Sequence, residues 1–248
     1  MELIRGLHNL RPQHRGCVAT IGNFDGVHLG HQAVIGQLAE KADSMCLPAV
    51  VITFEPQPLE FFAPDKAPSR LTRFREKLQA LRRYAIGRVL CLPFNQKLAN
   101  LEYKEFIQQI LVDGLDVKYL VVGDDFRFGK NREGHFEHLV AAGKEHGFRV
   151  VNMHTFAIDN ERVSSTRIRH ALEQGDMEKA EQLLGRDYRM GGRVGHGEKL
   201  GRELGYPTAN IHIHRKVSPI LGIFAVEVYG LDPVSYTHLT LPTTWCRG

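Results

Sequence analysis

Two histidines three residues apart, His28 and His31, stand in the stretch Gly22-Asn23-Phe24-Asp25-Gly26-Val27-His28-Leu29-Gly30-His31. At the start of a helix that spacing places both imidazoles on one face. Gly22, Gly26 and Gly30 allow a sharp turn and a close backbone approach to a ligand. A helix N-terminus adds unpaired N–H groups and a positive dipole end, which attract phosphate. Either histidine alone reads more readily as a solvated residue at a helix start. The whole constellation, placed directly after the apolar run Cys17–Ile21, argues for a phosphate site.

Two further clusters carry chemistry of the same kind. The segment from Gly123 to Gly134 holds Asp125, Phe126, Phe128 and Arg132. It reads as a solvated turn or as a stacking surface for an aromatic ring, with Arg132 within reach of a phosphate. Arg162-Val163-Ser164-Ser165-Thr166-Arg167-Ile168-Arg169 places three hydroxyls among three arginines at a predicted helix start. Ser164 or Ser165 suits an N-cap, and the cluster as a whole suits a phosphate clamp. Beside the first motif the clamp is favoured.

These groups need a frame, and the pattern of apolar residues supplies one. Cys17–Ile21, Ala49–Phe54, Arg88–Leu92, Lys118–Val122 and Phe148–Asn152 are short apolar runs, as strands covered on both faces require. Between them lie helical stripes: Leu29, Ala33, Leu38 and Ala42; Leu71, Phe74, Leu78 and Leu81; Phe106, Ile107, Ile110 and Leu111; Phe136, Leu139 and Val140. Strand–helix alternation implies right-handed crossovers and a mostly parallel sheet, with ligands beyond the carboxyl ends of the strands. The segment Phe61–Pro68, which contains Pro64 and Pro68, reads as a loop, either a cap over a site or a plain connector. A helix is expected from Ser164 or Ser165 to about Gln174, and another over Met177–Leu184. Beyond Gly185 the texture changes. Period-two patterns at Ala209, Ile211 and Ile213, and at Phe224, Val226 and Val228, predict antiparallel strands.

The chain has 248 residues, 43% hydrophobic and 24% charged, with a net charge of +4. That is an ordinary globular composition with a mild positive balance suited to phosphorylated small ligands. No Lys/Arg block forms a stripe for nucleic acid. No apolar run approaches the ~20 residues that span a bilayer, and Met1–Gly6 does not build a signal peptide, so the expected compartment is the cytoplasm. Cys17, Cys46, Cys91 and Cys246 lack metal spacing, and three of the four sit in or beside apolar runs as reduced core residues.

With these motifs in order, the chain resembles the bacterial bifunctional riboflavin kinase/FMN adenylyltransferases, the prokaryotic FAD synthetases. Gly22–His31, Thr53–Pro58, Gly123–Gly134 and Arg162–Arg169 carry the resemblance, and Gly201–Asn210 is similar to the kinase signature. The likeness spans roughly residues 1 to 231. It implies an α/β fold: a Rossmann-like nucleotidylyltransferase domain with a parallel sheet over residues 1–185. An incomplete antiparallel β-barrel of riboflavin kinase type would follow over 186–233. It implies two reactions, riboflavin plus ATP to FMN, and FMN plus ATP to FAD and pyrophosphate, with Mg2+ serving both. His28 and His31 would be catalytic, stabilising the transferring phosphate and the leaving pyrophosphate. Gly22, Phe24, Asp25, Gly26 and Gly30 belong to the phosphate-cradling loop. Asp125, Phe126, Phe128 and Arg132 would line the nucleotide or flavin site. Ser164, Ser165, Thr166 and Arg169, with Arg162 nearby, would bind the ATP phosphates. Thr208 and Asn210 would hold magnesium-ATP in the kinase module.

The last stretch departs from the family. Residues 234–248 read as a non-family tail, expected to be disordered, and after Gly205 the only carboxylates are Glu227 and Asp232, neither matching the family's base. The expectation is FMN adenylyl transfer without riboflavin phosphorylation. Only small-molecule partners are expected: ATP, FMN, FAD and riboflavin, with no nucleic acid, membrane or protein partner. A rival enzymatic reading is adenylyl transfer to nicotinamide or pantetheine phosphates. A non-enzymatic reading is flavin or nucleotide binding without turnover. The Gly123–Gly134 segment and the kinase signature oppose the first, and the presence of every phosphate-binding segment opposes the second.

Overall fold

The computed structural model describes residues 1–123, 125–153, 157–158, 161–195, 205 and 209–230. By internal contacts the chain divides into two units, Met1–Pro68 with Thr72–Ser165, and Ser69–Leu71 with Thr166–Gly248.

In the first unit the chain runs β1 (Glu2–Arg5), β2 (Cys17–Ile21), α1 (Leu29–Ser44), β3 (Ala49–Glu55), α2 (Pro58–Phe62), α3 (Phe74–Leu81), β4 (Arg88–Pro93), α4 (Gln96–Ala99) and α5 (Tyr103–Phe106). A π-helix (Ile107–Val112) continues α5 and precedes β5 (Val117–Gly123), α6 (Phe136–His146), β6 (Arg149–Met153), β7 (Ala157–Ile158) and β8 (Glu161–Arg162). The main sheet is six-stranded in the order β1-β4-β3-β2-β5-β6, and every pairing in it is parallel. The chain moves outward from β2 on one side and from β5 on the other. The crevice between the carboxyl ends of β2 and β5 is therefore the topological switch point, where doubly wound sheets bind ligands.

All five residues of β2 are buried. Alternation splits β2 and β3 between two cores. Cys17, Ala19, Ile21, Val50 and Ile52 join one face with the π-helix and Leu139 of α6. Val18, Ala49 and Val51 join the other with Ile35 and Leu38 of α1. Each fully buried Ile or Leu contributes about 2 kcal/mol of apolar transfer, so the pattern sets the register firmly.

The five predicted strands are present, with an unpredicted sixth at the edge. In β1 only Ile4 is buried. Glu2 takes the place of apolar anchoring, pairing with Arg88 at 3.4 Å and with the buried His14 at 3.1 Å. The second predicted helix begins at Phe74 rather than at Leu71, and Phe61 and Phe62 close a short helix where a loop was expected. Cys46 is exposed, at φ 51° just beyond α1, and is not a core residue; Cys17 and Cys91 are buried.

In the second unit α7 (Ser165–Glu173) is followed by α8 (Met177–Leu184), which Asp176 caps at Lys179 N (2.9 Å) and Gly185 ends at φ 68°. Ile168, Leu172, Leu183 and Leu184 are buried there. Segment 69–71 is held by this unit: Arg169 Nε donates to Ser69 O at 2.6 Å, and Tyr188 OH donates to Leu71 O at 3.3 Å. Arg215 donates to Arg70 O and Leu71 O. β9 (Arg193–Gly195) pairs antiparallel with β10 (Asn210–His212). The expected strand over 224–228 does not form. Val226 and Val228 are 50% and 41% exposed, so their period-two pattern faces no core that would fix a strand partner.

Candidate active site

The first motif leaves β2 and folds back on itself before entering α1. Phe24 (φ 48°), Gly26 (φ 83°) and Val27 (φ 42°) take left-handed backbone. For a β-branched valine that conformation is costly and persists only where surrounding contacts impose it. Here they do. Gly26 N donates to Thr72 Oγ1 at 3.0 Å, and Gln32 Nε2 donates to Val27 O at 2.9 Å. Ser165 Oγ donates to Asp25 O at 2.9 Å. The Asp25 carboxylate accepts from Thr72 N at 2.9 Å and from Thr72 Oγ1 at 3.2 Å. Asp25 is 3% exposed, so its role is to pin the loop. Gly30 lies in a close approach: a Cβ there would stand 3.3 Å from the His28 ring and 3.4 Å from Val163 O, so both neighbours would have to give a few tenths of an ångström.

His28 and His31 are not at an exposed helix start, contrary to expectation. His28 is 6% exposed and is the N-cap of α1, its Nδ1 accepting from His31 N at 3.3 Å. A neutral His28 therefore carries its proton on Nε2. The His31 ring stacks on it at 3.6 Å and 18°, and Phe24 packs against His31 at 5.1 Å. Burial pushes the His31 pKa well below the ordinary histidine range, and His28, Lys77 and Arg162 push it further down. His31 Nδ1 is buried with no hydrogen-bond partner among the described residues. A buried, unsatisfied ring nitrogen is costly unless a ligand completes it.

The second and third motifs meet in this unit. Arg162 Nη2 pairs with Asp125 Oδ1 at 2.9 Å, which ties the β5 exit to the segment before α7. Phe126 is half-buried and stacks on Phe128 at 5.5 Å and 14°. Phe128 is itself buried against Phe106, at 5.3 Å. Arg132 is exposed, at φ 61°. Ser164 directly precedes α7, and Ser165 is its first residue. Thr166 and Arg169 belong to the second unit; Thr166 is exposed and Arg169 is held by Ser69 O. Asn210 is exposed in β10, and Thr208 lies outside the described residues.

Three features escaped the sequence reading. Thr72 latches Asp25 and Gly26 from 47 and 46 positions away. Lys77 is fully buried, a charge inside the stripe of Phe74, Leu78 and Leu81; its position in that stripe was the available signal. An aromatic cluster closes the ends of β3 and β4, where Phe61 and Phe62 sit 5.6 and 5.5 Å from Phe94, and Phe62 is 63% exposed. Adjacent phenylalanines after a proline-bounded strand were its only mark.

Among the described residues no group of three or more His, Cys, Asp and Glu side chains could hold a metal ion, and no helix is long and apolar enough to cross a membrane. The FAD synthetase family profile matches residues 10–167, and the riboflavin kinase profile matches residues 184–241. A Pseudomonas fluorescens bifunctional riboflavin kinase/FMN adenylyltransferase is 54% identical, over 92% of this chain and 73% of that protein. Its counterpart from Escherichia coli K12 is 52% identical, over 93% and 74%. A solved Streptococcus pneumoniae structure described as a macrolide-efflux protein superposes with TM-score 0.76 at 28% identity, over 90% of this chain and 73% of that one. Profile and relatives agree over most of the sequence, and the chain belongs to the bifunctional riboflavin kinase/FMN adenylyltransferase family.

Proposed function

We propose that this chain transfers the adenylyl group of ATP to FMN, giving FAD and pyrophosphate. The observation that carries the reading is the buried, unpartnered Nδ1 of His31 in a pinned loop at the switch point of a parallel sheet. An FMN phosphate oxygen attacks the α-phosphorus of ATP, the bond to the bridging oxygen breaks, and pyrophosphate leaves. No covalent enzyme intermediate is required. Alignment and charge stabilisation suffice.

His31 and His28 give hydrogen bonds to the reacting phosphate and the leaving pyrophosphate. The incoming anion offsets the cations that depress His31, so the ring gains a proton as the ligand binds. Backbone N–H groups of the Gly22–Gly30 loop, with Phe24, Asp25 and Gly26 fixing its turn, cradle the phosphates. Ser164, Ser165, Thr166, Arg162 and Arg169 form the clamp. Asp125, Phe126, Phe128 and Arg132 line the nucleotide or flavin subsite, and the exposed face of Phe62 suits a flat aromatic ring.

Mg2+ fits as an ion carried on ATP, since such ions keep few protein ligands. Bound there, it would neutralise charge on the phosphate oxygens that the loop and the clamp hold. In the kinase module, Thr208 and Asn210 offer the side-chain oxygens that would hold it. The two modules part near residue 186, and the second, 186–233, is of riboflavin kinase type. The cytoplasm, the expected compartment, supplies the ATP that this work consumes.

The test is chromatography of products after incubation with ATP, magnesium and either FMN or riboflavin. FAD from FMN is expected. Its absence in folded protein overturns the reading.

A further inference from the structure

Beneath the histidine loop lies a lysine outside the segments that carry the family resemblance. Lys77 is on α3, 0% exposed. Its Nζ donates to Thr53 Oγ1 at 3.5 Å, and Thr53 Oγ1 donates to Asn23 O at 3.4 Å. Thr53 lies inside the buried run of β3, and Asn23 is the second residue of the phosphate loop. The relay therefore joins an interior ammonium to the floor of that loop. Burying an ammonium costs several kcal/mol in general, and a chain keeps one where its field or its hydrogen bonds are used.

We propose that Lys77 is a positioning residue for adenylyl transfer: its buried ammonium props the Gly22–His31 loop through Thr53 and Asn23 and supplies positive potential beneath the histidine pair. The proposal rests on the adenylyl-transfer reading for its purpose, but its geometry is independent of turnover. Lys77 is among the causes that push the His31 pKa down, behind burial and His28. A polyphosphate that enters meets a field already aimed at it and pays no reorganisation at the moment of reaction. Thr72, five residues earlier at the mouth of the same helix, fixes the loop from the other side through Asp25 and Gly26. One short segment thus sets both the shape and the potential of the site.

The experiment is a proton–carbon NMR titration of the His31 ring in the full chain, in wild type, Lys77→Met and Lys77→Arg. The methionine variant should titrate closer to the ordinary histidine range, and the arginine variant should stay near wild type. Affinity for pyrophosphate should fall about tenfold in Lys77→Met, the scale of losing one aimed charge. An unchanged His31 titration in folded Lys77→Met overturns the proposal. A second readout needs no variant to fold: the 15N resonance of Lys77 Nζ in wild type. An ammonium signal from about pH 6 to about pH 8 supports the proposal, and a neutral amine in that range overturns it. Whether FMN becomes FAD is judged separately, so failure here leaves the adenylyl-transfer reading standing, and the reverse.

Discussion

The histidine loop and the stretch from 209 to 230 use similar materials, since both mix glycines, histidines and apolar side chains after a strand or at its start. They end in opposite states. In the loop, Phe24, Asp25, Val27 and His28 are exposed by 2%, 3%, 0% and 6%. In the later stretch, Leu221, Ile223, Val226 and Tyr229 are exposed by 61%, 77%, 50% and 72%. The loop tolerates three left-handed residues because Thr72, Gln32 and Ser165 each hold it by a hydrogen bond. Within the later stretch, the three-residue β10 pairs with β9, and among the described residues only Pro219 and Ile220 are buried. A motif becomes a site when distant parts of the chain over-determine it, and composition alone does not accomplish that.

The sharpest way to break this contrast is to remove the imidazoles. His28→Ala with His31→Ala should cut FAD formation from FMN by at least about a hundredfold, the scale of losing positioned acid–base and electrostatic groups. Because His28 caps α1, the double variant should also lose about 1 kcal/mol of stability. His31→Ala alone separates the effects, with most of the activity loss and none of the cap loss. Near-normal turnover in folded His31→Ala, measured beside a thermal melt, would end the catalytic assignment.

Unpinning the loop should cost less. Thr72→Val removes the hydroxyl that Gly26 N and Asp25 use, which should destabilise the protein by about 1–2 kcal/mol and raise KM for ATP more than it lowers kcat. If a small fall in the melting temperature comes with unchanged kinetics, the loop's shape does not depend on Thr72.

Arg169→Ala should act through two routes. A guanidinium lost from a phosphate clamp raises KM for ATP, and the lost bond to Ser69 O loosens segment 69–71. Arg169→Lys retains a charge while losing the fork, so partial rescue of KM with no rescue of stability would assign the first route. Wild-type values for both variants would remove Arg169 from the clamp.

How much of this was legible beforehand depends on where the determining contact lies. β2 and β3 show as unbroken apolar runs because both faces are covered, and α8 shows because Asp176 and Gly185 mark its two ends. β1 did not show, since its anchoring is the pairing of Glu2 with His14 and Arg88 across the sheet edge. The histidine spacing showed, but not the burial of His28 and of the His31 Nδ1 atom, which follows from a loop that reverses through φ values no sequence pattern announces. Thr72 and Lys77 stand among ordinary helix residues, and only the fold brings them under the loop. The alternation at 224–228 showed a pattern without a partner.

The smallest expected effect is a pH dependence specific to the buried pair. Unfolded His31 titrates near about pH 6.5, whereas burial and its cationic neighbours depress it in the folded state. Above that pH both states are neutral at this ring and no stability is at stake. Below it the unfolded chain takes up a proton that the native site refuses, so stability falls as pH falls, by up to about 1.4 kcal/mol per pH unit until the folded ring titrates. His31→Gln should flatten that part of the profile between about pH 6.5 and about pH 5, where most carboxylates are still ionised. Saturating pyrophosphate should flatten it too, because a bound anion lets the folded ring accept the proton. Denaturant titrations across this range, for wild type and variant with and without pyrophosphate, check both statements. An identical slope in all four would mean that His31 is not the group that resists protonation, and the distinction drawn between the pinned loop and the exposed stretch would lose its electrostatic half.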